Sequence, residues 1–94
     1  MPKTVTGFEF EIETEDGTEW VKLQGSGGLM GAGALAALRI SGNVDLTCVR
    51  LLTRAQWDLE REGRLTKVAG ESFEVVTPKA VLSCRPVYSK RGDS

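Results

Sequence analysis

The chain contains no histidine, only two cysteines and a single tyrosine in 94 residues. Without imidazole, the commonest general base and the usual activator of serine or cysteine nucleophiles are missing. The two thiols, Cys48 and Cys84, are 36 residues apart and belong to no CxxC pair. A structural zinc site therefore lacks its ligands. Long apolar runs are missing too. The best one, residues 29–38, is ten residues broken by Gly31 and Gly33, about half of what a membrane-spanning helix needs. The N-terminal MPKTVTGFEF has no apolar core of a signal peptide. These absences lead to an expectation of a cytoplasmic protein that is not an enzyme and uses neither metal nor cofactor.

What is present suits a small globular domain. The chain is 40% hydrophobic and 27% charged, ordinary values for a soluble fold. Its length suffices for one domain, expected over 1–88, with a disordered tail at 89–94. The tail spells Arg91-Gly92-Asp93-Ser94, which is read as a chance tetrapeptide. Charge is unevenly placed. Residues 1–47 hold three Lys/Arg against seven Asp/Glu, and residues 48–94 hold nine against six. The basic residues are interleaved with acids, so the dense patch of a nucleic-acid binder is not formed.

Periodicity predicts an α+β fold, a mainly antiparallel sheet of five to six strands with two short helices. Phe8, Phe10 and Ile12 alternate with Glu9, Glu11 and Glu13, which marks a strand with one face in the core. Asp16-Gly17 then signals a two-residue hairpin turn. This turn pairs Phe10 with Leu23 and Ile12 with Val21, and on the other face Glu11 with Lys22 and Glu13 with Trp20. The acidic stripe reads as a solvated face, or as a surface for a basic partner. Residues 32–40 are rich in good helix formers and predict the first helix. Residues 44–52 are almost continuously apolar and predict a central strand containing Cys48. Thr53 and Gln56 have capping-box spacing, Leu52 and Trp57 that of a hydrophobic staple, and Gly63 suits a C-terminal cap. Together they predict the second helix over 54–62. A hairpin over 65–69 and 73–76 turns at Gly70-Glu71. A last strand over 80–87 contains Cys84 and carries Pro86, which places that end at an edge or a bulge. Both cysteines are read as small buried hydrophobes, with a disulfide as the second choice.

Five of the eleven glycines fall within 25–33, and glycine loses the most backbone freedom on folding. A segment so costly to order points to a contact surface, with Gly25, Ser26, Gly27, Gly28, Leu29, Met30 and Gly31 as the candidate residues. Leu29 and Met30 would supply its apolar contacts. The expected function is that of a small binding protein that touches a protein partner or copies of itself. Its size suits a stand-alone accessory or inhibitor protein of the kind phages carry. The alternative is a phosphate or nucleotide module, because a glycine loop before a helix N-terminus can cradle an anionic small molecule. GSGGLMGAG, however, matches neither GxGxxG nor a Walker motif.

Overall fold

The computed structural model describes residues 4–24 and 32–89, and of Ala32 only the backbone. The seven candidate contact residues of the glycine segment, and residues 90–94, lie outside the described residues.

The fold is α+β. Five strands, β1 (Val5–Thr14), β2 (Gly17–Gln24), β3 (Leu65–Ala69), β4 (Ser72–Val76) and β5 (Ala80–Tyr88), form one sheet in the order β4-β3-β2-β1-β5. Every neighbouring pair is antiparallel. Two helices, α1 (Ala32–Ser41) and α2 (Val44–Glu62), cover one face. Alternation decides which face is covered. Phe8, Phe10 and Ile12 of β1, Val21 and Leu23 of β2, Leu65 of β3 and Val81 of β5 point inward. They meet Ala34 of α1 and Leu51 and Ala55 of α2 in one core. Among the described residues no helix is long and apolar enough to cross a membrane.

The first hairpin is present, but its register differs from the expected one by two residues. Phe10 pairs with Val21, Ile12 with Glu19, and Thr14 with Gly17. The turn is Glu15-Asp16, and Gly17 opens β2 at φ 123. Thr14 stabilises this choice, its Oγ1 donating to the Gly17 carbonyl at 3.1 Å and accepting from the Asp16 N–H at 3.3 Å. A shift of two keeps every side chain on its face, so the expected core survives while its cross-strand partners change. Glu11 now stands opposite Trp20, and Glu13 opposite Thr18.

The larger correction concerns residues 44–52, which are helix and not strand. Asn43 starts α2 from extended backbone, its side-chain oxygen accepting from the Leu46 N–H at 3.0 Å. Thr47, Leu51, Ala55 and Asp58 are buried at helical spacing, whereas Leu46 and Val49 are exposed. A central strand would have covered both faces. Thr47 is a polar residue in the core, and its hydroxyl meets the Asn43 carbonyl and the Ser41 hydroxyl, both at 2.8 Å. Thr53 is therefore not a cap. It lies inside the helix and donates to the Val49 carbonyl at 2.9 Å. Leu52 and Trp57 form no staple, since both lie within one continuous helix. Gly63 does cap the end, at φ 70, its N–H bound to the Leu59 carbonyl. Between the helices Gly42 takes φ 66 and donates to the Leu38 carbonyl at 2.8 Å.

The second hairpin turns at Gly70-Glu71 as expected, with Ala69 opposite Ser72. β5 is an edge strand, and its Pro86 pairs with Phe8. A bulge between Glu11 and Ile12 leaves Leu82 exposed. Beyond β5 the Ser89 N–H donates to the Thr4 carbonyl at 2.7 Å.

Two outcomes in denaturant titration check this account. Asn43→Ala is expected to cost about 0.5–2 kcal/mol, while Thr53→Ala stays within about 0.5 kcal/mol. Equal losses would return the helix start to Thr53. Phe10→Ala is expected to cost about 3–5 kcal/mol, as removal of a fully buried aromatic does. Glu11→Ala, on the outer face, should lose no more than about 1.5 kcal/mol, the usual worth of its one hydrogen bond from Ser83.

Candidate functional site: the outer face of α2

Once α2 begins at Asn43, its apolar residues divide into two sets. One set faces the sheet. The other, Leu46, Val49 and Trp57, lies on the solvent side at 41%, 59% and 47% exposure. Arg50, Arg54 and Arg61 share this side, because the spacing 50, 54, 57, 61 follows the helical repeat. Trp57, expected to pack on Leu52 in a hydrophobic staple, is instead the middle of an exposed stripe.

A buried carboxylate fixes the local geometry. Asp58 is almost wholly covered, and neither of its oxygens has a hydrogen bond among the described residues. Its charge is balanced by ion pairs one turn away in each direction. Arg54 Nε lies 3.3 Å and Arg61 Nη2 3.8 Å from Oδ1. The same two guanidinium groups lie over the Trp57 ring, 5.1 Å and 4.3 Å from its centre. Asp58 thus draws two long side chains toward the indole between them, and the cation–π contacts hold them there. Arg61 also reaches Glu62 at 3.3 Å. Arg50, Thr53, Arg54 and Trp57 line a shallow hollow on this face, and Glu60 is exposed on its far flank. The arrangement presents a rigid aromatic plane and several guanidinium donors, which suits contact with a carboxylate-rich protein surface.

The acidic stripe is organised differently. On the uncovered sheet face, Glu9 lies 3.6 Å from Arg85, and Glu11 accepts from the Ser83 hydroxyl at 3.0 Å. Arg85 lies 3.8 Å from the centre of the Trp20 ring. At the hairpin tip Glu13, Glu15 and Asp16 are exposed, and none of the three has an ion pair among the described residues. Glu19 nearby is also exposed and lies 3.4 Å from Lys67. Gln56, expected to close a capping box, reaches across to β5 and donates to the Val81 carbonyl at 3.0 Å.

Sequence reasoning overlooked the arginine–tryptophan stripe, although its signal was there. The four positions read as one face only when the helix is continued back to residue 44. Ending it at residue 53 left Trp57 as the obvious apolar anchor.

If Asp58 depends on its two partners, Arg54→Ala should cost about 2 kcal/mol or more, because it leaves a buried carboxylate under-compensated. Lys67→Ala, which removes an exposed ion pair, should cost less than about 1 kcal/mol. Urea titration of the two variants separates these cases, and equal losses would make the Asp58 cluster no stronger than a surface pair.

No protein-family model, curated protein or solved structure matches this chain.

Proposed function

We propose that this protein is a non-enzymatic binding protein acting through contact with copies of itself, with the outer face of α2 as one half of the contact. The observation that carries the reading is Trp57, held half-exposed between two arginines that a buried aspartate fixes in place. Tryptophan and arginine are the residues most often found at the energetic centre of an interface. A pre-ordered side chain also loses less entropy on docking.

The other half is the acidic hairpin tip at Glu13, Glu15 and Asp16. It lies on β1 and the turn, different elements from α2, so one copy can offer its tip to the next copy's helix. A contact between different patches is heterologous, and it builds rings or open chains according to its angle. The glycine segment, with Leu29 and Met30, remains in the proposal as a second contact element on its sequence alone. The accessory-protein role and the cytoplasmic location are proposed on the same footing.

Sedimentation velocity over a concentration series tests the self-contact. The protein is expected to associate at low salt and to dissociate as salt rises. Trp57→Ala should weaken association at least tenfold, and so should the double reversal Glu15→Lys/Asp16→Lys. The informative sample is a mixture of the two variants. Each retains the half that the other lacks, so the mixture should form a one-to-one complex. A protein that stays monomeric up to about millimolar concentration, beyond the weakest range of specific contacts, would overturn the reading. A mixture that fails to pair would overturn the heterologous geometry.

A further inference from the structure

Cys48 and Cys84 were expected in two separate strands, and the structure places them on different kinds of element that pack together. Cys48 lies on α2, three residues before the buried Leu51, and packs against the core. Cys84 lies on β5 opposite Phe10, whose side chain is wholly buried under the helices, and it too packs against the core. Both thiols are free and partly exposed. They are neighbours, each within the hydrogen-bonding and electrostatic reach of the other. The same two elements are tied further along α2 by the hydrogen bond from Gln56 to the Val81 carbonyl. A disulfide needs two sulfurs brought together from separately anchored backbones, and α2 packed on β5, with both cysteines against the same core, supplies that arrangement.

We propose that Cys48 and Cys84 form a reversible intramolecular disulfide that clamps α2 to β5. The oxidant is a low-molecular-weight disulfide, of which glutathione disulfide is the test case. One protein thiolate attacks a sulfur of the reagent, forming a mixed disulfide and expelling one small thiolate. The second protein thiolate attacks the protein-side sulfur of that mixed disulfide, and the second small thiolate leaves. Two protein thiols are oxidised and one reagent disulfide is reduced, and the two thiol protons end on the two released small thiols.

The environment sets the pace of this exchange. Burial is the main cause that raises the Cys84 thiol well above its ordinary value, and the neighbouring Cys48 raises it further. Burial also raises Cys48, with Asp45 adding to the effect and the hydrogen bond to Cys84 opposing it. Thiolate is therefore scarce at neutral pH, and exchange is slow there and faster as pH rises. Once formed, the bond closes a long loop between residues 48 and 84 and so restricts the unfolded chain.

The test uses the unaltered protein, incubated with glutathione disulfide at mildly alkaline pH and compared with a dithiothreitol-reduced sample. The oxidised monomer is expected to lose the mass of two hydrogens and to resist thiol alkylation. Its non-reducing peptide map should join the Cys48 and Cys84 peptides. Its melting temperature should rise by about 10 °C or more, and dithiothreitol should reverse every change. In Cys48→Ser the remaining thiol should stop at the glutathione adduct. Stable mixed adducts on both cysteines of the unaltered protein would overturn the proposal, as would disulfide-linked dimers, or a joined peptide with no rise in melting temperature. These readouts are made on separated monomer, so they do not depend on whether copies associate through α2.

Discussion

Phe8, Phe10 and Ile12 lose all contact with water, and they do so from β1, a strand paired on both sides. The other elements are placed by that single covered face. β2 and β5 extend it with Val21, Leu23 and Val81, and α1 and α2 close it with Ala34, Leu51 and Ala55. At roughly 25 cal/mol per Å² of apolar surface, burial of three large side chains is a dominant favourable contribution in a domain this small. The opposite face of the same strand carries glutamates, which keep the sheet one-sided.

Period-two alternation made the first hairpin legible, because it requires only that apolar residues share a face. The exact pairing was not legible, since registers two residues apart bury the same side chains. Thr14 settles it through two hydrogen bonds that no hydrophobic pattern contains. The second hairpin, the edge position of Pro86 and the cap at Gly63 were legible for another reason: each depends on local backbone chemistry. Residues 44–52 were not, because Val44, Leu46, Cys48, Val49, Leu51 and Leu52 satisfy a buried strand and a helix about equally well. Asn43 decides between them, and so does the continuation of the stripe through Ala55 and Leu59.

That single ambiguity also hid the candidate site. A helix that begins at Thr53 has too little length to show two faces, and Trp57 falls into its core. A helix of 19 residues has a complete inner stripe without Trp57 and leaves the indole to the arginines. The cysteines follow the same logic. Two thiols in two strands have no special relation, whereas one on α2 and one on β5 become neighbours once the helix lies across the sheet.

β1 receives its two partners from very different distances along the chain. β2 follows after a two-residue turn, but β5 pairs Phe10 with Cys84. Closing so long a segment carries an entropic cost that must be met before the pairing stabilises anything, and contacts of this kind slow folding. The hairpin and α2 are local structures, whereas the pairing of β5 with β1 closes the longest stretch of chain in the sheet, which favours a late arrival of β5. Until it does, β1 exposes an unpaired edge beside the most apolar residues of the chain, the combination that invites strand pairing between molecules. The acidic side chains that alternate along β1 repel a second copy during that interval, so the stripe of glutamates protects the protein most while it is still being assembled.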